Sequence, residues 1–403
     1  MAHHTKSSAR GFTLLELMVS LALGLLIVGA AVKLFSQGVD ATWVVAQRAE
    51  MQQDLRATET LLVKDVSLAG SGLTGVPAET IALPNALGTP IIGCDQSGTA
   101  AGCPPNGGVA YPCIPTGGCT PSLYPIMPAF QAGIRPPGST TNSDLVTVVY
   151  SDTNLAMNCY SVVFNATGNV LTFTAPPNPP PASCILPPGL AYPQALNNVA
   201  NGIQPGDVIL VNNQVGTSSA FAVGEVTTIT GPVGPPAPGT QYVLTFANGD
   251  ALNMNQSGAA NDLTALKAGV GTVANRIFVI TYYLRTIADP TGVTTGTVIL
   301  YRQVNGLTAV PVADNLANFQ FTYDTYDAAG NPLNGVGDAG AALGISPNLI
   351  RKVNVTHLTM HSQLAGTRST LMATSGFQSF DLQTSISARN VSYKNRYSFT
   401  TGP

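Results

Sequence analysis

The chain has 403 residues and a formal net charge of -3, and only 9% of its residues are Asp, Glu, Lys or Arg, against roughly 25% in an average soluble domain. Its surface must therefore be Ser, Thr, Asn and backbone, and the 41 Gly and 30 Pro imply many turns. With no cluster of Lys or Arg, the chain offers no electrostatic footprint for a phosphate backbone, which argues against a nucleic-acid partner.

Residues 1–11 are polar and carry positive charge at Lys6 and Arg10, whereas Phe12 to Val32 is apolar apart from one carboxylate, Glu16. About 20 residues at 1.5 Å each cross a hydrocarbon core, and a basic flank stays cytoplasmic, so the chain beyond this helix faces outward. Other readings explain less. A secretory signal peptide has a shorter apolar core followed by a small-residue cleavage site, which Gly29, Ala30 and Ala31 imitate. A plain signal anchor fits the length but gives no reason for Glu16, because an acid within lipid costs a few kcal/mol. No cysteine lies near the end of the apolar run, as a lipoprotein would require.

The run Gly11-Phe12-Thr13-Leu14-Leu15-Glu16-Leu17-Met18-Val19 resembles the signature of type IV prepilins and type II secretion pseudopilins. That resemblance implies cleavage by a prepilin peptidase between Gly11 and Phe12, N-methylation of Phe12, and a role for Glu16, the fifth residue of the mature chain, in assembly. A Glu16 carboxylate paired with the terminal charge of a neighbouring subunit would compensate two unfavourable buried charges and help set register. The implied location is the inner membrane, single-pass with the C-terminal domain periplasmic, and then the pilus or cell surface.

Helical spacing continues through Leu34, Phe35, Val39, Trp43 and Ala46 to Leu55, Leu61, Leu62, Val66 and Leu68, with Arg48, Glu50, Asp54, Arg56, Glu59, Lys64 and Asp65 between. The spacing predicts one helix over 12–69, roughly 85 to 90 Å long, whose far half lies on a globular domain. Gly24, Gly29 and Gly38 mark either a place to bend or melt, or close packing between helices in lipid. Gly70 and Gly72 supply a stop.

Residues 70–143 read as a Cys-, Pro- and Gly-rich loop region. Cys94, Cys103, Cys113 and Cys119 fall there, and Cys159 and Cys184 follow in similar sequence. An even number confined to loops suits disulfides formed outside the cytoplasm, with 15 connectivities open; the spacing of Cys113 and Cys119, without a nearby His, does not suit zinc.

Residues 144–403 read as a β-rich domain, because β-branched and aromatic runs bounded by turn residues recur. The expected strands are 144–150, 158–164, 170–175, 207–212, 221–230, 242–246, 277–285, 297–303, 319–326, 350–361 and 377–388, with a short helix within 258–268. The fold class is α+β: a long N-terminal helix packed on a mostly antiparallel β domain with Pro/Gly/Cys-rich loops.

Five segments in this order are similar to the PilW-type minor pilins: Met51 to Gly70, Gly206 to Val211, Ile280 to Arg285, Leu300 to Arg302 and Val312 to Asp324. The resemblance implies a minor pilin acting in pilus assembly initiation or at the filament tip, in a hetero-oligomer with major and minor pilins. A type II secretion pseudopilin is the near alternative. A tip adhesin is the alternative from another class, motivated by the cysteine-rich insertion, since stapled loops make good contact surfaces.

Nothing in the sequence points to an enzyme or a cofactor. His357 and His361, four apart on an expected strand, sit roughly 13 Å from each other, too far to share a metal. Asp324, Asp327, Asn331 and Asp338 surround a Gly-rich turn without the spacing of a calcium loop, and read as a solvated hairpin. There is no nucleophile elbow, phosphate loop or dinucleotide fingerprint.

Overall fold

The computed structural model describes residues 13–73, 80–87, 90–92, 109–110, 121–137, 139–198, 200–287, 296–327, 330–337, 346–361, 379–388 and 390–391. The chain divides into two units: in the described residues, the first is the helical stretch ending at Gln53 and the second begins at Asp54. A single helix, α1 (Leu14–Leu68), provides the first unit and opens the second.

Nineteen short and long strands follow among the described residues. In chain order they are β1 (Ile81–Ala82), β2 (Ile91–Ile92), β3 (Val109–Ala110), β4 (Ser122–Leu123), β5 (Ile126–Ala129), β6 (Leu145–Ser151), β7 (Ser161–Phe164), β8 (Val170–Thr174), β9 (Val208–Val215) and β10 (Ser218–Glu225). Then come β11 (Thr228–Thr230), β12 (Gln241–Thr245), β13 (Val270–Ile287), β14 (Thr297–Val304), β15 (Val310–Ala313), β16 (Leu316–Tyr326), β17 (Pro332–Val336), β18 (Lys352–His361) and β19 (Ser379–Ser387). Among the described residues every pairing is antiparallel.

The hub is β13, 18 residues long. Its Ile277 pairs with Ser151 of β6 and Val208 of β9, and its Ile280 with Val148 of β6 and Val304 of β14. One edge of β13 is therefore lined by β6, the other by β9 and then β14, and the resulting seven-stranded sheet also takes in β5, β10 and β15. Such a strand reads as near-continuous apolar sequence because both faces are covered: Ile277, Tyr282, Tyr283 and Leu284 are all fully buried. A four-stranded sheet, β11-β12-β8-β7, shares a core with β9 and β10 through Phe173, Tyr242, Leu244, Ile209 and Ala222. A second four-stranded sheet has the order β17-β16-β18-β19.

Several boundaries depart from the sequence reading. The expected strand 221–230 is two strands, β10 and β11, that separate at Val226 and belong to different sheets. The strand expected to begin at Ile277 begins at Val270, because its mixed, Gly-containing first residues pair with β9 across an irregularity between Val270 and Val273. Residues 70–143 contain β1 to β5, and β5 pairs along Ile126–Ala129 with β6 in the largest sheet. Two- to four-residue strands carry too little periodicity to register in sequence. Strands β15 and β17 lie outside the expected set, because each begins at or holds a proline, which suits an edge and reads in sequence as a strand breaker. The short helix expected within 258–268 is a single 3-10 turn, Leu263–Leu266, capped by the Asp262 carboxylate, which accepts the Thr264 N–H.

Candidate functional site

The start of α1 is set by a reciprocal cap. Thr13 Oγ1 accepts the Glu16 N–H at 3.2 Å, while Glu16 Oε2 accepts the Thr13 N–H and its hydroxyl, each at 3.1 Å. Thr-x-x-Glu is the capping-box pattern, in which two otherwise orphaned donors are satisfied and the carboxylate faces the positive end of the helix dipole. The sequence held this signal at Thr13, a residue that the reading of the motif did not single out. Glu16 is thus held at the helix entrance by its own chain, while Gly11 and Phe12 lie outside the described residues.

Beyond the cap the helix is apolar all round. Leu14, Leu17, Leu21, Leu25, Val28, Val32 and Phe35 are all exposed, as are residues between them on every other face. Gly24, Gly29 and Gly38 leave open space where a Cβ would stand, and the helix runs through all three without a break. Leu14–Leu68 is long and apolar enough to cross a membrane, and its most apolar stretch is nowhere buried. A helix of this kind suits lipid or a bundle of its own kind rather than water, consistent with membrane anchoring.

In the second unit the same helix becomes one-sided. Leu55, Thr58, Leu62, Asp65, Val66 and Ala69 are buried at three- and four-residue spacing. Burying Leu55, Leu62 and Val66 contributes about 2 kcal/mol each. At the centre of this face is a carboxylate. Asp65 Oδ2 accepts the Tyr282 hydroxyl at 2.6 Å and Arg302 Nε at 2.7 Å, and Oδ1 accepts the Tyr150 hydroxyl at 3.4 Å. The Asp65 side chain is 1% exposed and that of Arg302 24%. Burial alone would lower the Arg302 pKa, but the Asp65 hydrogen bond and charge outweigh it and raise it. Burial, seconded by the Asp65 charge, pushes the Tyr150 and Tyr282 phenols up. The helix thus docks on β6, β13 and β14 through a closed polar cluster.

The exit of α1 is tied to the same sheet. Gly70 donates its N–H to Val149 O at 2.9 Å, and Ser151 donates to Ser71 O at 2.8 Å. Gly72 has φ +72°, and a Cβ there would stand 2.7 Å from Ser151 Cβ, so glycine is required by both backbone and space.

A second buried cluster lies farther toward the start of β13. Arg276 Nη2 donates to Asp152 Oδ2 at 2.6 Å and Nη1 to Asp207 Oδ2 at 3.3 Å, and the guanidinium also caps the carbonyls of Asn201 and Gly202. These donors and acceptors satisfy one another, which marks the cluster as structural. Nearby, Glu225 is buried against Asp250, and burial, with the Asp250 charge, pushes the Glu225 carboxyl up to about 8.

Within the described residues the remaining candidates are occupied with structure. Cys159 and Cys184 form a disulfide, with Cα atoms 4.4 Å apart; Cys94, Cys103, Cys113 and Cys119 lie outside the described residues. His357 Nδ1 is 3.2 Å from Asp381 Oδ2 on β19, and His361 ends β18, its pKa lowered by burial. Asp327 closes its turn by accepting the Asn331 N–H and amide, and Asp324 accepts from Gly335 and Asn354. Asp338 is outside the described residues. Among the described residues there is no group of three or more His, Cys, Asp or Glu side chains able to hold a metal ion.

Comparison with curated proteins returns no match, and neither does comparison with solved structures. Residues 6–32 match the family model of the prokaryotic N-terminal methylation motif, the processing and assembly signature of type IV pilin-like proteins and pseudopilins, and it spans the segment from Lys6 through Glu16 to Val32.

Proposed function

We propose that this chain is a minor pilin, a structural subunit of a type IV pilus, cleaved between Gly11 and Phe12, methylated on Phe12 and assembled through α1. The observation that carries the reading is a methylation motif leading directly into a helix with apolar side chains exposed on all sides. Such a surface needs lipid before assembly and other pilin helices after it. Glu16 is costly in either setting, and pairing with the terminal charge of a neighbouring subunit offsets that cost. The outer domain, periplasmic before assembly, then acts in initiating the filament or at its tip, as in PilW-type minor pilins. In support, three of the five segments that resemble that family meet at one point: Asp65, Tyr282 and Arg302 each come from a different one.

The test is the intact mass of the protein recovered from membranes, with and without the prepilin peptidase, together with Glu16→Ala followed into sheared filaments. A mature chain beginning at N-methylated Phe12, with the variant processed but missing from filaments, is expected. An uncleaved chain, or one cut near Ala31, refutes the reading. Because pseudopilins share the motif, removal of the protein should abolish surface pili and leave protein secretion intact; the reverse outcome assigns it to a secretion system.

A further inference from the structure

Strands β16 and β18 present their outer faces to the segments 130–137 and 139–144, and an open cleft of about 670 Å³ lies between them. That volume is in the range of small-molecule sites. Its floor follows from strand alternation. Phe319, Phe321 and Tyr323 are buried beneath β16, so Asn318, Gln320 and Thr322 face the cleft, and Thr356 and Thr359 join them from β18. The roof carries Ser139, Thr140 and Thr141, with Phe130 at the lip, 45% exposed. The ring of Phe130 rests on Gly337, where a Cβ would come within 3.1 Å of it.

The cleft is braced as it stands. Gln320 Nε2 donates to Thr141 Oγ1 at 2.7 Å, joining floor to roof. The buried Asp144 carboxylate accepts the N–H of Gln131 and that of Phe321, each at 2.7 Å, which joins them a second time. Ser139 Oγ donates to Thr141 O at 2.8 Å.

The lining selects a ligand class. Among the described residues no Lys or Arg lines the cleft, and His361, which does, is kept neutral by burial, so an anion would find no counter-charge; the one lining carboxylate, Asp144, is already occupied by two backbone donors. A wholly apolar ligand would strip water from the Thr and Asn groups without replacing their hydrogen bonds. What fits is a neutral molecule dense in hydroxyls with one C–H face for an aromatic ring. We propose that this cleft binds a neutral saccharide, one sugar face lying on Phe130 and the hydroxyls exchanging hydrogen bonds with Asn318, Thr322 and Thr140. The proposal is independent of how the first helix is used, and it would give the outer domain a binding function beside its structural one.

The experiment uses the full chain in a zwitterionic detergent that carries no sugar headgroup. Saturation-transfer difference NMR is recorded with maltose, lactose, mannobiose and diacetylchitobiose, and with sialyllactose as the anionic control. At least one neutral disaccharide should receive saturation at millimolar concentration. Asn318→Ala combined with Thr322→Val should weaken its binding about tenfold by removing two hydrogen bonds to the sugar, with the fold retained by far-UV circular dichroism although Asn318 also accepts the Phe319 N–H. Phe130→Ala at the exposed lip should weaken it as well, and decides the matter if the double variant does not fold. No transfer to any neutral disaccharide, binding confined to sialyllactose, or binding that survives Phe130→Ala at full strength overturns the proposal.

Discussion

Replacing Asp65 by Asn keeps the shape of the side chain and removes its charge, so it isolates the polar cluster that docks α1 on the sheet. In the native fold Asp65 serves Tyr282, Arg302 and Tyr150 at 2.6, 2.7 and 3.4 Å. The amide keeps one oxygen for Tyr282 and Arg302 and turns its N–H donors toward the Tyr150 hydroxyl, which can accept, so what is lost is chiefly the negative charge facing Arg302. That leaves the Arg302 guanidinium without a counter-charge. Breaking a fully buried pair from one side costs about 3 to 5 kcal/mol. Arg302 keeps 24% of its side chain in solvent, and water recovers part of that, which brings the expected loss to about 2 to 3 kcal/mol. The assay is urea unfolding of the detergent-solubilised chain followed by far-UV circular dichroism. A cycle with Arg302→Met separates the pair from the surrounding packing, and a coupling of at least about 1.5 kcal/mol is expected. A loss below about 0.5 kcal/mol, or additive single variants, would refute the idea that this cluster holds the helix to the domain.

Two further outcomes follow from the outer domain. The Glu225 carboxyl, ordinarily near 4.5, is raised to about 8 in the fold by burial and by Asp250, so the folded state holds a proton that the unfolded state has released. The stabilisation is complete below the unfolded value and is lost as pH rises through the folded one. Urea midpoints should therefore fall between about pH 5 and about pH 8, and Glu225→Gln should flatten that slope; a slope unaltered in the variant places the titration elsewhere. Replacing Cys159 and Cys184 by Ser opens a loop of 25 residues and should lower stability by about 3.5 kcal/mol on the chain-entropy account. Unfolding of the variant matching that of the oxidised native chain would show that the two ends are held by packing alone.

The N-terminal segment was legible because its signals are local. Apolar length, the lone Glu16 and the basic leader are all read within about 30 residues, and α1 needs no partner to satisfy its backbone. The core strands β6, β8, β14, β16 and β18 were legible for a similar reason: each carries a β-branched or aromatic run that stands out among Gly- and Pro-rich spacers. The cap at Thr13 is equally local, a Thr-x-x-Glu spacing contained within four residues.

What required the tertiary structure is what depends on distant residues. Asp65 meets Tyr150, Tyr282 and Arg302 across 85, 217 and 237 positions, and no spacing along the chain marks a carboxylate in an amphipathic helix as buried rather than solvated. The reach of β13 depends on having β6 along one edge and β9 and β14 along the other, which pairs the backbone groups of a first stretch with no clear strand pattern of its own. The cleft over β16 and β18 exists only because Asp144 and Gln320 bring a turn-rich segment onto a sheet face nearly 180 residues away. Periodicity and composition fix which residues form elements and which faces are apolar. The free energy of joining those faces is settled by partners far apart in sequence, and there the sequence alone is silent.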